Sequence, residues 1–294
     1  MTTAHFLMCR PDHFAVDYAI NPWMDPGSWA AHSNVLVDAS QREWAALHRT
    51  LSGLGAAIDL VPPAAGLPDL VFTANAAVVL DRKAVLARFR HPERRGEEEP
   101  FEHGFRALQA RGIVDAVMQL PDGVVLEGAG DCVFDHTRNL YWMGWGPRSD
   151  RAAAPVIANM LGLDTVPLEL VDSRFYHLDT ALCPLTHGEV LFVPSAFDAD
   201  GLAQIHARVA PAQRIEVPME DACELAANAV CVGDTVVMSQ CGARLQRALA
   251  EHGYHVVTTP LPSFLRSGGS AFCLTLRLDL RSPGGTAQGR ARVA

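Results

Sequence analysis

Short apolar runs alternate with amphipathic segments along most of the chain. Apolar positions recur at helical spacing in five segments, which we predict to be helices: Ser40–Leu54, Pro100–Gly112, Ala152–Leu163, Gly201–Val209 and Ala243–His252. Between them lie β-branched runs bounded by turn residues, which we predict to be strands: Val78–Leu80, Val85–Ala87, Leu140–Met143, Val190–Val193, Val236–Met238 and Val256–Thr258. Strands that alternate with single helices predict an α/β fold.

The chain also repeats one pattern five times: a small or polar residue, a strand, a turn and a second strand. The starts of these units are 56, 48, 49 and 45 residues apart and lie at Asn75, Asp131, Asp179, Asn228 and Cys273. A period of this kind is typical of radially repeated folds. The fifth unit lacks its second strand, which the N-terminal segment Phe6–Cys9 can supply. We therefore predict an α/β propeller of five ββαβ-like units whose polar first residues converge near the axis.

No linker long enough to separate two domains interrupts this pattern, so we predict a single domain over residues 1–280. After Leu280 the apolar periodicity ends, and residues 281–294 are predicted to be a flexible C-terminal tail. No apolar stretch approaches the ~20 residues that span a bilayer. The N-terminus has no secretory pattern, and we expect a cytoplasmic protein with no membrane partner.

Composition and charge narrow the range of partners. The 294 residues are 49% hydrophobic and 19% charged, which suits a large buried core, and the formal net charge is −9. A negative balance argues against a nucleic-acid partner and is compatible with a cationic small-molecule substrate. The seven cysteines are an odd number and are expected to be thiols in a reducing compartment. A homo-oligomer is compatible with the sequence.

Three short segments carry residues suited to catalysis. Cys273 follows a glycine pair that lets the backbone approach a ligand, although an isolated cysteine of this kind is more often a buried core thiol. His177 and Asp179 point to the same face of an extended segment, as either an acid/base pair or a surface pair. Glu127 and Asp131 flank a glycine-rich turn, where they could bind a cation or share a proton. This turn continues into a strand rather than a helix, which argues against a dinucleotide site.

Other polar residues suggest substrate contacts. Asn21 and Asn75 are amides among apolar residues, either turn-formers or ligand contacts. Arg94 could bind a carboxylate through two hydrogen bonds, or belong to a solvated charge run. Cys183 and His187 have metal-ligand spacing, but no second pair accompanies them, so we predict no metal. A cysteine nucleophile, a histidine base, acids for a cation and an arginine for a carboxylate together match an arginine-like substrate.

Several of these segments carry a family resemblance. The segments Glu127–Asp131, His177–Asp179 and Gly268–Cys273, in this order, resemble the guanidine-modifying penteins. This group comprises arginine deiminases, dimethylargininases, amidinotransferases and arginine dihydrolases. The chain is most similar to the arginine dihydrolase domain known from cyanobacteria, and the likeness covers roughly residues 5–280.

The resemblance implies a pentein fold and a covalent mechanism without metal or organic cofactor. It implies that Cys273 attacks the guanidinium carbon to form a thiouronium adduct. It further implies that His177 transfers protons and, in its charged form, stabilises a thiolate of low pKa, while Glu127 orients His177 or the guanidinium. The residues implied to hold the substrate are Asn21, Asn75, Asp131, Asp179 and Arg94, the last at its α-carboxylate.

The resemblance leaves several reactions open. Arginine dihydrolases resemble this sequence in carrying asparagine at the positions that match Asn75 and Asn21. Deiminases and many other relatives carry an aspartate at the position that matches Asn75. A neutral amide can also hold a neutral ureido group, so we hypothesise that Asn75 permits a second attack and takes arginine to ornithine. Alternatives are a dimethylargininase or a deiminase that yields citrulline, and further an amidinotransferase or a non-catalytic binding pentein.

Overall fold

The structure is a computed structural model, and it describes residues 3–283. Its strands are β1 His5–Cys9, β2 Ala57–Val61, β3 Ala77–Leu80, β4 Lys83–Leu86, β5 Ala116–Met118, β6 Cys132–Asp135, β7 Leu140–Trp145, β8 Thr165–Glu169, β9 Leu182–Pro184, β10 Val190–Phe192, β11 Arg214–Glu216, β12 Val230–Val232, β13 Thr235–Met238, β14 His255–Thr258 and β15 Leu276–Arg277. Its α-helices are α1 Pro26–Gly53, α2 Pro92–Arg95, α3 Glu98–Ala110, α4 Ala153–Leu161, α5 Ala199–Arg208, α6 Met219–Ala222, α7 Ala243–Glu251 and α8 Pro262–Leu265.

The described strands form five small sheets of the same design. Each sheet has three strands, in the orders β15-β1-β2, β3-β4-β5, β6-β7-β8, β11-β10-β9 and β12-β13-β14. The first two strands of each unit are antiparallel, and the third is parallel to the second. A parallel pair needs a crossover, and a helix lies between the second and third strands of every unit. The predicted α/β propeller of five ββαβ-like units is confirmed.

The two ends of the chain meet in one unit. The N-terminal strand β1 pairs with β15 in antiparallel register, with Phe6 opposite Arg277. It also pairs in parallel with β2. The prediction that the N-terminal strand completes the fifth unit is therefore confirmed, and this pairing joins the first described strand to the last.

The predicted helices and strands are all present, and among them the largest difference in bounds lies at the start of α1. This helix begins at Pro26 rather than Ser40, behind an Asp25 side chain that accepts a hydrogen bond from the Ser28 amide. Most side chains between Trp29 and Ser40 are at least partly exposed, so the segment has no clear apolar periodicity. An N-terminal capping residue followed by proline is the local signal that marks the true start.

The interior is apolar around the ring and polar at its centre. Helix α1 buries Trp44, Leu47 and Leu51, and the other long helices bury similar stripes against their sheets. Short 3₁₀ turns lie at the start of three of the units. Two of them contain Asn75 and Asp179, and the third, Gly128–Gly130, is followed directly by Asp131. The five polar first residues are each at most 2% exposed: Asn75, Asp131, Asp179, Asn228 and Cys273. Hydrogen bonds join Asp179, Asn228 and Cys273 to one another. Asn75 bonds to the carbonyl of Glu127, and Asp131 accepts from the amide of Leu178.

Two further predictions concern the chain as a whole. Within residues 3–283, no helix has both the length and the apolar character required to cross a bilayer. Residues 284–294, most of the predicted tail, lie outside the described residues. Ser282 nevertheless donates two hydrogen bonds to the Asp81 carboxylate, at 2.9 and 2.6 Å. The single-domain boundary at residue 280 stays a prediction.

Candidate active site

Cys273 lies at the axis because the chain before it makes a turn that only small residues permit. Gly268 has a φ of +81°, and a Cβ there would lie 2.8 Å from the Tyr176 ring. A Cβ on Gly269 would lie 2.3 Å from the Phe72 ring. The glycine pair therefore lets this loop pack against two aromatic rings and delivers the thiol to the centre.

The Cys273 thiol is buried and held by two neighbours. Its Sγ donates to Oδ2 of Asp179 at 3.1 Å and accepts from Nδ2 of Asn228, also at 3.1 Å. Burial and the adjacent Asp179 carboxylate together raise the pKa of this thiol well above its usual value. Both effects favour the protonated sulfur at neutral pH.

His177 and Glu127 form a buried pair. Nε2 of His177 lies 2.8 Å from Oε2 of Glu127, which also accepts a hydrogen bond from Arg148 at 3.0 Å. Burial alone would raise the pKa of Glu127, but Arg148 and His177 outweigh it and hold that pKa well below its ordinary value. An ionised Glu127 accepts hydrogen bonds only, which favours the His177 tautomer with the proton on Nε2.

The charge state of His177 differs from the expectation. Burial lowers the pKa of His177 to about 4, and Arg148 adds to this lowering, although the hydrogen bond to Glu127 opposes it. A neutral imidazole cannot supply the positive charge that was expected to stabilise a Cys273 thiolate. The geometry does not support that expectation, because burial disfavours both the imidazolium and the thiolate.

Asp131 lies beside this pair. Its Oδ1 accepts from the amide of Leu178 at 3.0 Å, and its Oδ2 accepts from Oγ of Ser149 at 2.5 Å. The second oxygen is 3.9 Å from Nε2 of His177. Burial raises the pKa of Asp131 well above the ordinary aspartate value, and the negative charge of Glu127 contributes. Asp131 therefore fixes the backbone that carries His177.

Asn75 and Arg94 are joined in the same interior. Asn75 donates from Nδ2 to the carbonyl of Glu127 and accepts from Nη1 of Arg94, at 3.0 and 2.9 Å. Arg94 also donates to both carboxylate oxygens of Glu97, at 2.8 and 2.7 Å, and to the carbonyl of Asp69. Its guanidinium is thus 3% exposed and largely paired within the protein, not a solvated charge run. Its predicted contact with a substrate carboxylate stays a prediction.

Asn21 acts locally as a turn-former. Its Oδ1 accepts from the amide of Trp23 at 2.9 Å, and its Nδ2 donates to the carbonyl of Ser267 at 3.0 Å. The loop that carries it also contacts Arg148, whose Nη2 donates to the carbonyl of Ile20. Asn21 therefore ties this loop to the segment before Cys273, and its predicted substrate contact stays a prediction.

The polar centre of the ring holds more buried acids than buried guanidinium groups. Five carboxyl groups there are each at most 3% exposed, those of Asp69, Glu97, Glu127, Asp131 and Asp179. Two guanidinium groups of comparable burial, those of Arg94 and Arg148, lie among them. Burial raises the pKa of Asp179 to about 7. Among the described residues, Oδ1 of Asp179 has no hydrogen-bond partner. An unpaired buried oxygen next to a thiol is well placed to receive a cation.

Two buried residues at the centre of the ring, Arg148 and Asn228, were not predicted from the sequence to take part in catalysis or binding. Arg148 lies in a short Gly-Pro-Arg-Ser turn with no recognisable pattern, yet it is 2% exposed and stacks 4.6 Å from the centre of the Tyr176 ring. Asn228 was identified as the start of the fourth unit, and that position alone could have indicated its place at the axis. In the described part of the chain, no group of three metal-ligating side chains is arranged to hold a metal ion.

A five-unit α/β propeller with a thiol, an imidazole and carboxylates at its axis is the architecture of a pentein. A family model described as N,N dimethylarginine dimethylhydrolase, eukaryotic, matches residues 10–280. The chain therefore belongs to the N,N dimethylarginine dimethylhydrolase family, and the predicted resemblance to the guanidine-modifying penteins is confirmed.

Individual relatives give the same result. The bifunctional arginine dihydrolase/ornithine cyclodeaminase ArgZ of Synechocystis sp. is 45% identical over 92% of this chain, which spans only 37% of ArgZ. The N(G),N(G)-dimethylarginine dimethylaminohydrolase of Mycobacterium tuberculosis is 38% identical over 94% of this chain and 86% of that protein. The crystal structure of the N-terminal domain of ArgZ, a cysteine-to-serine variant bound to substrate, superposes with a TM-score of 0.88. That structure is 43% identical and covers 95% of this chain and 99% of its own.

Proposed function

We propose that this protein hydrolyses the guanidinium group of L-arginine and releases ornithine, ammonia and carbon dioxide. The observation that carries the proposal is Oδ1 of Asp179, which is buried beside the thiol of Cys273 and has no hydrogen-bond partner within residues 3–283. A guanidinium N–H bonded there would place the guanidinium carbon next to sulfur. The similarity to ArgZ, described as an arginine dihydrolase, supports arginine as the substrate.

The guanidinium of the substrate supplies the positive charge beside Cys273 that a neutral His177 does not. A guanidinium held by Asp179 adds a cation beside Cys273, which favours the thiolate by the same electrostatics that disfavour it in the free protein. Sulfur attacks the guanidinium carbon, and the thiol proton leaves with one terminal nitrogen as ammonia. His177 transfers that proton, because a neutral imidazole can accept it and the ionised Glu127 stabilises the resulting cation. Water then cleaves the thiouronium adduct and restores the thiol.

A second round on the ureido carbon distinguishes a dihydrolase from a deiminase. Attack of Cys273 on a bound citrulline, followed by hydrolysis, releases the second ammonia, carbon dioxide and ornithine. Asn75 contributes a neutral amide where an acid would favour a cation, and its Oδ1 is held by Arg94 at 2.9 Å. We propose that this neutral group retains the uncharged intermediate long enough for the second attack. On this account Arg94 uses its remaining Nη1 hydrogen to bind the substrate α-carboxylate.

Dimethylarginine hydrolysis is the second candidate. The family model and the M. tuberculosis relative, which this chain covers over 86% of its length, favour it. The two functions share the covalent chemistry at Cys273 and differ in the leaving group and the final product. A dimethylargininase releases dimethylamine and stops at citrulline.

Product analysis tests the proposal. The purified protein is incubated with L-arginine and, separately, with dimethylarginine, without added cofactor, and the amino acids and amines are quantified. We expect ornithine with about two ammonia per arginine consumed, from two rounds of thiol chemistry. A Cys273→Ala variant should release no product, whereas a Cys241→Ala variant should match the wild type. Citrulline with about one ammonia would show a deiminase, and turnover of dimethylarginine alone would favour the second candidate.

A further inference from the structure

The side-chain amide of Asn228 makes three hydrogen bonds, one of them to the thiol of Cys273. Its Nδ2 donates to Sγ of Cys273 at 3.1 Å and to the carbonyl of Asp179 at 3.1 Å. Its Oδ1 accepts from the backbone amide of Cys273, also at 3.1 Å. The side chain is fully buried. Every polar atom of this amide group is therefore directed at Cys273 or at Asp179.

The network fixes which way the amide points. The backbone amide of Cys273 can only donate, so it requires the Asn228 oxygen, and the carbonyl of Asp179 can only accept, so it requires the nitrogen. The flipped orientation would break both bonds and place an oxygen against sulfur. One N–H of Asn228 is thereby directed at Sγ, whatever the protonation state of the thiol.

Loss of the thiol proton changes the contacts of the sulfur. The thiol donates its proton to Asp179 Oδ2, and a thiolate has no proton to donate, so that contact becomes a repulsion between two anions. Among the described residues, the side chain that donates a hydrogen bond to this sulfur is that of Asn228. A hydrogen bond to an anion is stronger than one to a neutral group.

We propose that Asn228 is a catalytic residue that stabilises the Cys273 thiolate by donating from Nδ2 to Sγ, while its Oδ1 keeps the sulfur aimed at the guanidinium carbon. This inference rests on the proposed function, in which Cys273 is the nucleophile. Asn228 thus takes over part of the stabilisation that a charged His177 was expected to provide.

Alkylation of Cys273 tests this without any substrate. The rate of reaction with iodoacetamide is followed across pH by mass spectrometry of the Cys273 peptide, because other cysteines are partly exposed. The variants are Asn228→Asp, which retains the oxygen that faces the Cys273 amide, and Asn228→Ala, which removes both groups. Asn159→Asp, on the exposed side of α4, makes the same change of charge away from the site. Urea unfolding checks that each variant is folded.

We expect both Asn228 variants to be alkylated about ten to a hundred times more slowly at a pH below the thiol pKa, as the loss of one hydrogen bond to a charged group predicts. The kcat for arginine should fall by a similar factor with KM changed less than about threefold, and Asn159→Asp should match the wild type. A purely structural role predicts the opposite, since a loosened site exposes Cys273 and speeds alkylation. Unchanged or faster alkylation would overturn the proposal. If Cys273→Ala retained arginine turnover, the proposed function would fail, whereas the alkylation rates would still decide the role of Asn228.

Discussion

Asp179 should make the protein less stable as pH rises, and replacing it should reveal by how much. Its carboxyl group is 1% exposed, accepts from the Cys273 thiol through Oδ2 and has an unpartnered Oδ1 among the described residues. An Asp179→Asn substitution keeps the shape and an acceptor oxygen but cannot ionise. The substitution therefore removes the buried negative charge and retains the size of the side chain and one acceptor oxygen.

The magnitude follows from the pKa of Asp179. Folding raises this pKa from 3.8 to about 7, mainly by burial. A raised pKa means that the folded state binds the proton more tightly, so the associated stability is complete below the unfolded-state pKa and is lost as pH rises through about 7. At about 1.4 kcal/mol per pKa unit, the wild type should lose about 3 kcal/mol relative to Asp179→Asn between about pH 5 and about pH 8.

Urea unfolding of both proteins across this pH range measures the difference. The free energy of unfolding of the Asn variant should exceed that of the wild type increasingly as pH rises, although the variant should not turn over arginine. Adding arginine to Cys273→Ala, which keeps Asp179 and should not consume the ligand, should raise the unfolding midpoint more at high pH, because the guanidinium pairs with the ionised carboxylate. If the two proteins lost stability in parallel from acid to alkaline pH, Asp179 would not carry an uncompensated charge and the reasoning would be refuted.

Three further predictions concern neighbouring residues and the substrate. A Cβ on Gly130 would overlap Nδ2 of Asn75, so Gly130→Ala should lower the free energy of unfolding by about 1–3 kcal/mol and reduce kcat. Gly53→Ala is the matched control, because a Cβ there points into open space. Asn75→Asp should retain the first hydrolysis and accumulate citrulline, measured by amino-acid analysis; ornithine as the sole product would contradict the role of Asn75. Agmatine lacks the α-carboxylate, so its kcat/KM should be at least about tenfold below that of arginine; equal turnover would remove Arg94 from carboxylate binding.

The sequence predicted the repeat more fully than the individual strands. Five polar residues at near-constant spacing predicted both the ring and the contents of its centre, because each unit places its first residue at the same position. Four of the five third strands were not predicted: β2, β5, β8 and β11. These strands are three to five residues long and partly exposed, so their apolar pattern is weak, and pairing with a neighbour determines them.

Side-chain roles were harder to predict than positions. Two candidate substrate contacts, Asn21 and Arg94, are bonded mainly to other parts of the protein. Arg148 joins the polar centre of the ring from a turn with no local signal. The protonation states of His177 and Cys273 depend on burial and on charges from distant segments. Only the three-dimensional arrangement determines these contributions, so a motif indicates the participants but not their pKa values.

The most direct test of the account is the detection of the covalent adduct. The protein is mixed with L-arginine, quenched in acid within a turnover and examined by intact-mass and peptide mass spectrometry. The account predicts a thiouronium adduct on Cys273 that decays as product forms and is absent from Cys273→Ala. Product formation with no adduct at any time, together with turnover by Cys273→Ala, would contradict it.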